Sequence, residues 1–178
     1  MQRGSRRVLG VDPGTAVTGY GVVDYDGRTA VLCECGVIRT NAKESLPARL
    51  QHIYAGIAEL IERHAPDTVS VEDVFYARNV RTTIVLGHAR GVILLAAQQA
   101  ALTICEYSPA EIKKTVAGTG AATKEQVQFM IAKLLRLKTA PQPSDAADGV
   151  AAALTACLAP LPSVSTATIP AIHARTKP

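Results

Sequence analysis

Four carboxylates in this chain stand where carboxylates are costly. Asp12 ends the apolar run of VLGVDPGT, and Glu72 ends that of VSVEDVF. Asp145 and Asp148, in SDAADGV, open an alanine-rich segment three residues apart, hence on one helical face. A carboxylate at a buried strand end or on a packed helix loses hydration and needs something positive to compensate it. For an all-oxygen cluster the common compensator is a divalent metal, Mg²⁺ by default with Mn²⁺ as a substitute. Such a set supports metal-dependent phosphodiester chemistry.

Each motif also has a plainer account. VDPGT alone fits a tight turn, with Asp12 capping it and Gly14 at positive φ. Glu72 beside Asp73 fits a solvated strand end, and an Asp in a first helical turn favours the helix dipole. The last helix tips the balance. Ala146, Ala147, Val150, Ala151 and Leu154 leave it so apolar that it must pack, and the natural support is the sheet that ends in Asp12 and Glu72.

The elements that would position these acids are legible in outline. Residues 7–12, 17–25 and 30–39 read as three strands with short Gly-bearing links, an antiparallel meander. LPARLQHIYAGIAELIERH places Leu46, Leu50, Ile53, Ile57, Leu60 and Ile61 at helical spacing, and Pro66-Asp67 stops it. TVSVE follows as a fourth strand, and the crossover implies parallel pairing to the first. DVFYARNVRT is a polar, aromatic loop, and a helix spans about 80–100. LTICEYS is a fifth strand. Helices in SPAEIKKTVAG and TKEQVQFMIAKLLRL carry capping boxes, Ser108 with Glu111 and Thr123 with Gln126. The helix SDAADGVAAALTACLA closes residues 1–159 as one α/β domain, a mixed five-stranded sheet flanked by helices. This layout resembles that of the ribonuclease-H-like superfamily. Residues 160–178, rich in Pro, Ser and Thr, are expected to form a mobile tail.

Composition narrows the function class. Of 178 residues, 48% are hydrophobic and 19% charged, a globular balance. No unbroken apolar run reaches the roughly 18 residues that span a bilayer, and the start lacks a signal-peptide core, so a cytoplasmic chain is expected. Cys33, Cys35, Cys105 and Cys157 show neither CxxC spacing nor paired His, which points to buried reduced thiols and against zinc. The formal net charge is +4. Two divalent ions at the acidic cluster would add four more positive charges, and nucleic acid is the natural partner of that pattern.

The whole chain then resembles one family. VLGVDPGTAVTGYGVV, VEDVFYARN, LGHARGV, EYSPAEIKKTVAGTGAATKEQVQ and SDAADGVAAALTAC are similar, in order and spacing over about residues 7–158, to the RuvC family of crossover junction endodeoxyribonucleases. The resemblance implies a nuclease that resolves four-way (Holliday) DNA junctions by paired symmetric nicks during recombination and repair. It implies Asp12, Glu72, Asp145 and Asp148 as the metal-binding catalytic tetrad. Two Mg²⁺ about 4 Å apart would straddle the scissile phosphate, with water as nucleophile and a 5′-phosphate product. No protein base is needed, so His64 and His88 read as structural.

The same resemblance makes Lys113 and Lys124 phosphate-binding cations, flanking TVAGTGAATK. Phe75 becomes a wedge that stacks in the opened junction, and Arg78, Asn79 and Arg81 extend its loop with phosphate-binding chemistry. It also implies a homodimer and a branch-migration helicase complex (RuvA and RuvB) as partner. The helix over 80–100 is apolar on more faces than one sheet can cover, and a two-fold dimer would suit a substrate that needs two symmetric cuts. Actin-like sugar and acetate kinases share an Asp-x-Gly-Thr turn but need two such domains. A related family thought to process ribosomal RNA precursors would not supply VEDVFYARN and TVAGTGAATK together.

Overall fold

The computed structural model describes residues 5–73 and 80–159. Its elements, in chain order, are β1 Arg6–Asp12, β2 Val17–Tyr25, β3 Ala30–Arg39, α1 Leu46–His64, β4 Thr68–Glu72, α2 Val80–Gln99, β5 Thr103–Tyr107, α3 Pro109–Ala117, α4 Lys124–Leu134 and α5 Ser144–Leu158. The strands form one sheet in the order β3-β2-β1-β4-β5. The first three pair antiparallel, and β4 runs parallel to β1 and β5 to β4. The meander and the crossover read from the sequence are therefore both present. One consequence sets up the site. β1, β3, β4 and β5 all end on the same edge of the sheet, at Asp12, Arg39, Glu72 and Tyr107.

Each face of the sheet is covered by helices. Alternation along β1 sends Leu9 and Val11 to a core shared with α1 and α2, where Ile53, Ile57 and Ile93 are fully buried. Val8 faces the opposite core, built from α3, α4 and α5 with Ile112, Ile131 and Leu154. The two capping boxes are formed as expected: Ser108 with Glu111 starts α3, and Thr123 with Gln126 starts α4. α4 stops at Leu134, short of the pattern that suggested a helix to about 137. Arg136, at φ 55, turns the chain out of helix there.

The seating of α5 decides where the last two acids lie. Gly10, Gly19 and Gly21 in the strands face α5, and Gly149 in α5 faces Tyr20. A Cβ on Gly10 would run into the backbone of Gly149 and Ala153, and one on Gly19 into the Asp145 carbonyl. These glycines let a helix lie directly on strands, with no side chain between. Polar pins hold it there. Ser70 donates to the Ala152 carbonyl at 2.7 Å, and Arg6 reaches the Ala156 and Cys157 carbonyls at 2.7 Å each, closing the C-terminal end of α5.

Three expectations change. Gly14 does not take positive φ, which among the described glycines belongs to Gly27 and Gly118; it is glycine because a Cβ there would strike the Val17 carbonyl. Cys33 is exposed and Cys35 half-buried on β3, so only Cys105 and Cys157 are the buried thiols expected; all four are free. α2 is long and apolar enough to cross a membrane by length and composition, although no unbroken apolar run in it reaches that length. Ala89, Ile93, Ala96 and Ala97 of α2 pack into the core, while Val80, Ile84 and Leu95 are 74%, 56% and 50% exposed.

Candidate active site

The sheet edge gathers the acids. Asp12 closes the central strand and Glu72 closes its parallel neighbour, one strand spacing of about 4.8 Å away. Asp145 and Asp148 enter from the first turns of α5, whose contact with Gly19 places Asp145 beside the residue paired to Asp12. A cleft of about 290 Å³ opens there, lined by Asp12, Glu72, Asp148, Lys113, Lys124 and apolar residues of α3, α4 and α5. Asp145 is not in that lining, but its charge is felt at Asp12.

The electrostatics show what the folding of these elements costs. Burial pushes the Asp12 carboxyl up to about 8, and Glu72, Asp148 and Asp145 add to the rise. Burial likewise lifts Glu72 to about 7, with Asp148 adding, while Lys113 and Lys124 oppose. Two strand-end carboxylates thus hold protons near neutrality unless a cation replaces them. Lys124 supplies part of that charge. Its ammonium donates to Asp148 Oδ2 at 2.7 Å, and that bond raises the lysine's own pKa. Among the described residues no three acidic, imidazole or thiol groups already stand in ion-holding geometry. The mutual repulsion and the all-oxygen chemistry nevertheless suit a hard divalent cation. Lys124 occupies one carboxylate that such an ion would share.

The other sequence candidates fall into two groups. Lys113 lines the cleft as expected, and Lys114 is exposed away from it. Arg81 is exposed in the first turn of α2. Phe75, Arg78 and Asn79 lie outside the described residues. His64 proves structural, its Nε2 2.9 Å from Glu34 in a cluster with Arg63 and Tyr20. His88 is exposed on α2.

The sequence reading missed the arginines that brace this edge. Arg90, on α2, pairs with Asp73 at 3.3 Å and with Glu106. The Asp73 backbone N–H also donates to the Tyr107 carbonyl at 2.8 Å. Together these fix the chain directly after Glu72. The signal was the arginine inside LGHARGV, set in the apolar middle of the helix. Arg6 and Arg7, given no role from sequence, are anchors: Arg6 on α5, Arg7 on Asp24 at 2.7 Å and the His64 carbonyl at 2.9 Å.

A doubly covered mixed sheet with an acidic, lysine-flanked cleft at the ends of its central strands defines a nuclease of the ribonuclease-H-like fold. Comparison with known proteins gives the family. The model of crossover junction endodeoxyribonuclease RuvC matches residues 8–156, and the chain belongs to the RuvC family. The RuvC of Pelotomaculum thermopropionicum is 47% identical over 147 residues, covering 83% of this chain and 90% of that protein. The RuvC of Halorhodospira halophila is 51% identical over 148 residues, covering 83% and 87%. Among solved structures, Thermus thermophilus RuvC aligns with TM-score 0.78 and 38% identity over 84% of this chain and 92% of that one. The same protein in complex with Holliday junction substrate aligns at TM-score 0.77. RuvC-family nucleases are divalent-metal dependent.

Proposed function

We propose that the protein is a Mg²⁺-dependent endonuclease that resolves four-way DNA junctions by paired symmetric nicks. The observation that carries this is the cleft in which Asp12, Glu72 and Asp148 meet Lys113 and Lys124, in a chain of a family whose Thermus member is solved with a Holliday junction. Asp12, Glu72, Asp145 and Asp148 would hold two Mg²⁺, or Mn²⁺ in their place, which when bound activate water and neutralise charge at the phosphate. The protein's own groups do the rest. Lys113 and Lys124 draw the phosphodiester to the sheet edge. The carboxylates would hold the metal ions in place, and the packed α5 keeps Asp145 and Asp148 fixed. Hydrolysis by water leaves a 5′-phosphate and a 3′-hydroxyl. Phe75 would stack on an unpaired base, and Arg78, Asn79 and Arg81 would contact phosphate.

Two symmetric cuts need two sites. The exposed stripe Ile84, Gly87, His88, Gly91 and Leu95 on α2 suits a homodimer, since Gly87 and Gly91 have open space where a Cβ would be. A branch-migration helicase complex (RuvA and RuvB) is the expected partner in the cytoplasm. The test is direct. The purified protein with Mg²⁺ is offered a synthetic four-way junction, a linear duplex, structured RNA and ATP. Paired nicks in the junction alone, with ends that ligase reseals, support the reading. Equal cutting of all nucleic acids would defeat it. Asn or Gln at any tetrad position should lower cleavage by more than about a thousandfold while junction binding persists.

A further inference from the structure

The cleft has two flanks, and only one is accounted for. Lys113 and Lys124 stand on the β5 side, on α3 and α4. On the other side β3 ends at Arg39 and turns into α1. The strand order puts that end two strands from β1, and the pairing sets Arg39 two residues beyond the level of Asp12, about 12 Å away. The turn is stapled to the segment that follows Asp12. The Thr40 N–H donates to the Ala16 carbonyl at 3.1 Å, and its hydroxyl donates to the Thr15 carbonyl. Arg49, from α1, donates to the same carbonyl and to the Thr40 hydroxyl at 3.0 Å.

The charges on this turn lack acidic partners. Arg7, Arg63 and Arg90 each face a carboxylate, whereas Arg39, Lys43 and Arg49 form no ion pair among the described residues. Arg49 binds only neutral oxygens, so its charge stands uncompensated. Arg39 and Lys43 are exposed, and the Lys43 N–H is held by Asn41 Oδ1 at 3.0 Å in a fixed turn. Glu44 is the one acid in the turn. A cationic pair rigidly tied to the catalytic turn has a local field that an anion would neutralise.

We propose that the β3–α1 turn is a second phosphate-binding wall, in which Arg39 and Lys43 grip the DNA backbone on the side of the cut opposite Lys113 and Lys124. It rests on the nuclease reading above. An offset of about 12 Å from Asp12 places this wall at a phosphate other than the scissile one. Arg49 is the positioning residue that sets the turn.

The experiment measures binding of a fluorescent four-way junction in EDTA across salt concentrations, so that cutting does not enter. Arg39→Ala with Lys43→Ala should lower the log–log salt slope by about two, while Arg39→Lys with Lys43→Arg keeps it. Neutral methylphosphonate linkages, placed one at a time, then map the contacts. Phosphates that matter to the wild type but not to the double variant should lie across the cut from those silenced by Lys113→Ala. An unchanged slope in the double variant, with a lowered slope in Lys113→Ala, overturns the second wall and leaves the nuclease reading standing. Silenced phosphates on the same side as those of Lys113 also overturn it. No salt-dependent junction binding by the wild type would remove both.

Discussion

Replacing Asp12 with Asn should make the metal-free protein more stable, although it removes a residue central to function. The Asp12 carboxyl moves from an ordinary 3.8 to about 8 on folding, chiefly through burial and then through its acidic neighbours. A raised pKa means that the native state holds this proton more tightly than the unfolded chain does. Between about pH 4 and pH 8 unfolding therefore releases a proton, and native stability falls as the pH rises through that window. Four units at about 1.36 kcal/mol each set a ceiling of roughly 5–6 kcal/mol. Glu72, pushed up to about 7, shares the same repulsion, so a single substitution relieves on the order of 2–4 kcal/mol. Asn keeps the shape and removes the charge.

Thermal melts in EDTA at pH 8 and pH 5 are the assay. At about 2–4 °C per kcal/mol for a chain of this size, Asp12→Asn should melt about 5–10 °C above the wild type at pH 8, with a smaller gap at pH 5. Added Mg²⁺ should raise the wild-type melting point at pH 8 and leave the variant nearly unmoved. Equal melting points at pH 8 would refute the reasoning, as would a gap that widens toward pH 5. Either result would mean that Asp12 is hydrated or already compensated in the folded chain.

Gly19→Ala should push α5 off β2 through the clash with the Asp145 carbonyl, costing about 1–3 kcal/mol in melting stability and most of the cleavage rate; a fully active variant would separate Asp145 from the site. Lys113→Ala or Lys124→Ala should each lower the salt slope of junction binding by about one unit, checked by titration at several salt concentrations. Phe75→Ala should reduce single-turnover cutting strongly and affinity less, for a stacking loss of about 1–3 kcal/mol. A lowered melting point with binding and cutting reduced in proportion would instead place that ring in the core.

The acids were legible because a carboxylate at the end of an apolar run has few ordinary explanations. The sheet was legible because hydrophobic periodicity and crossover handedness leave few alternatives. What sequence alone could not reveal was contact across the fold. Gly10, Gly19 and Gly21 weaken strands by propensity, and only the seating of α5 explains them. Gly14 reads as a positive-φ turn residue until the Val17 carbonyl is found where its Cβ would be. Arg6 was given no role because its partner, the end of α5, is 150 residues away in sequence. The exposure of Cys33 follows from β3 lying at the sheet edge, a position that strand patterning does not report.

The placement of the braces follows from the charge they must offset. Asp12, Glu72 and Asp148 repel one another in a partly dehydrated cleft, so the fold works against the arrangement it needs. The restoring contacts are not among these carboxylates, where they would compete with metal. They lie one layer out. Arg90 fixes the chain after Glu72, Arg49 and Thr40 fix the turn after Asp12, and Ser70 and Arg6 fix α5 beneath Asp145 and Asp148. Each bonds backbone, or an acid outside the tetrad, and so leaves the tetrad oxygens to whatever cation arrives. Lys124 is the exception, holding Asp148 at 2.7 Å. It stands where a metal or a phosphate would claim one of its two roles, which makes it the group most directly exchanged when the cleft is filled.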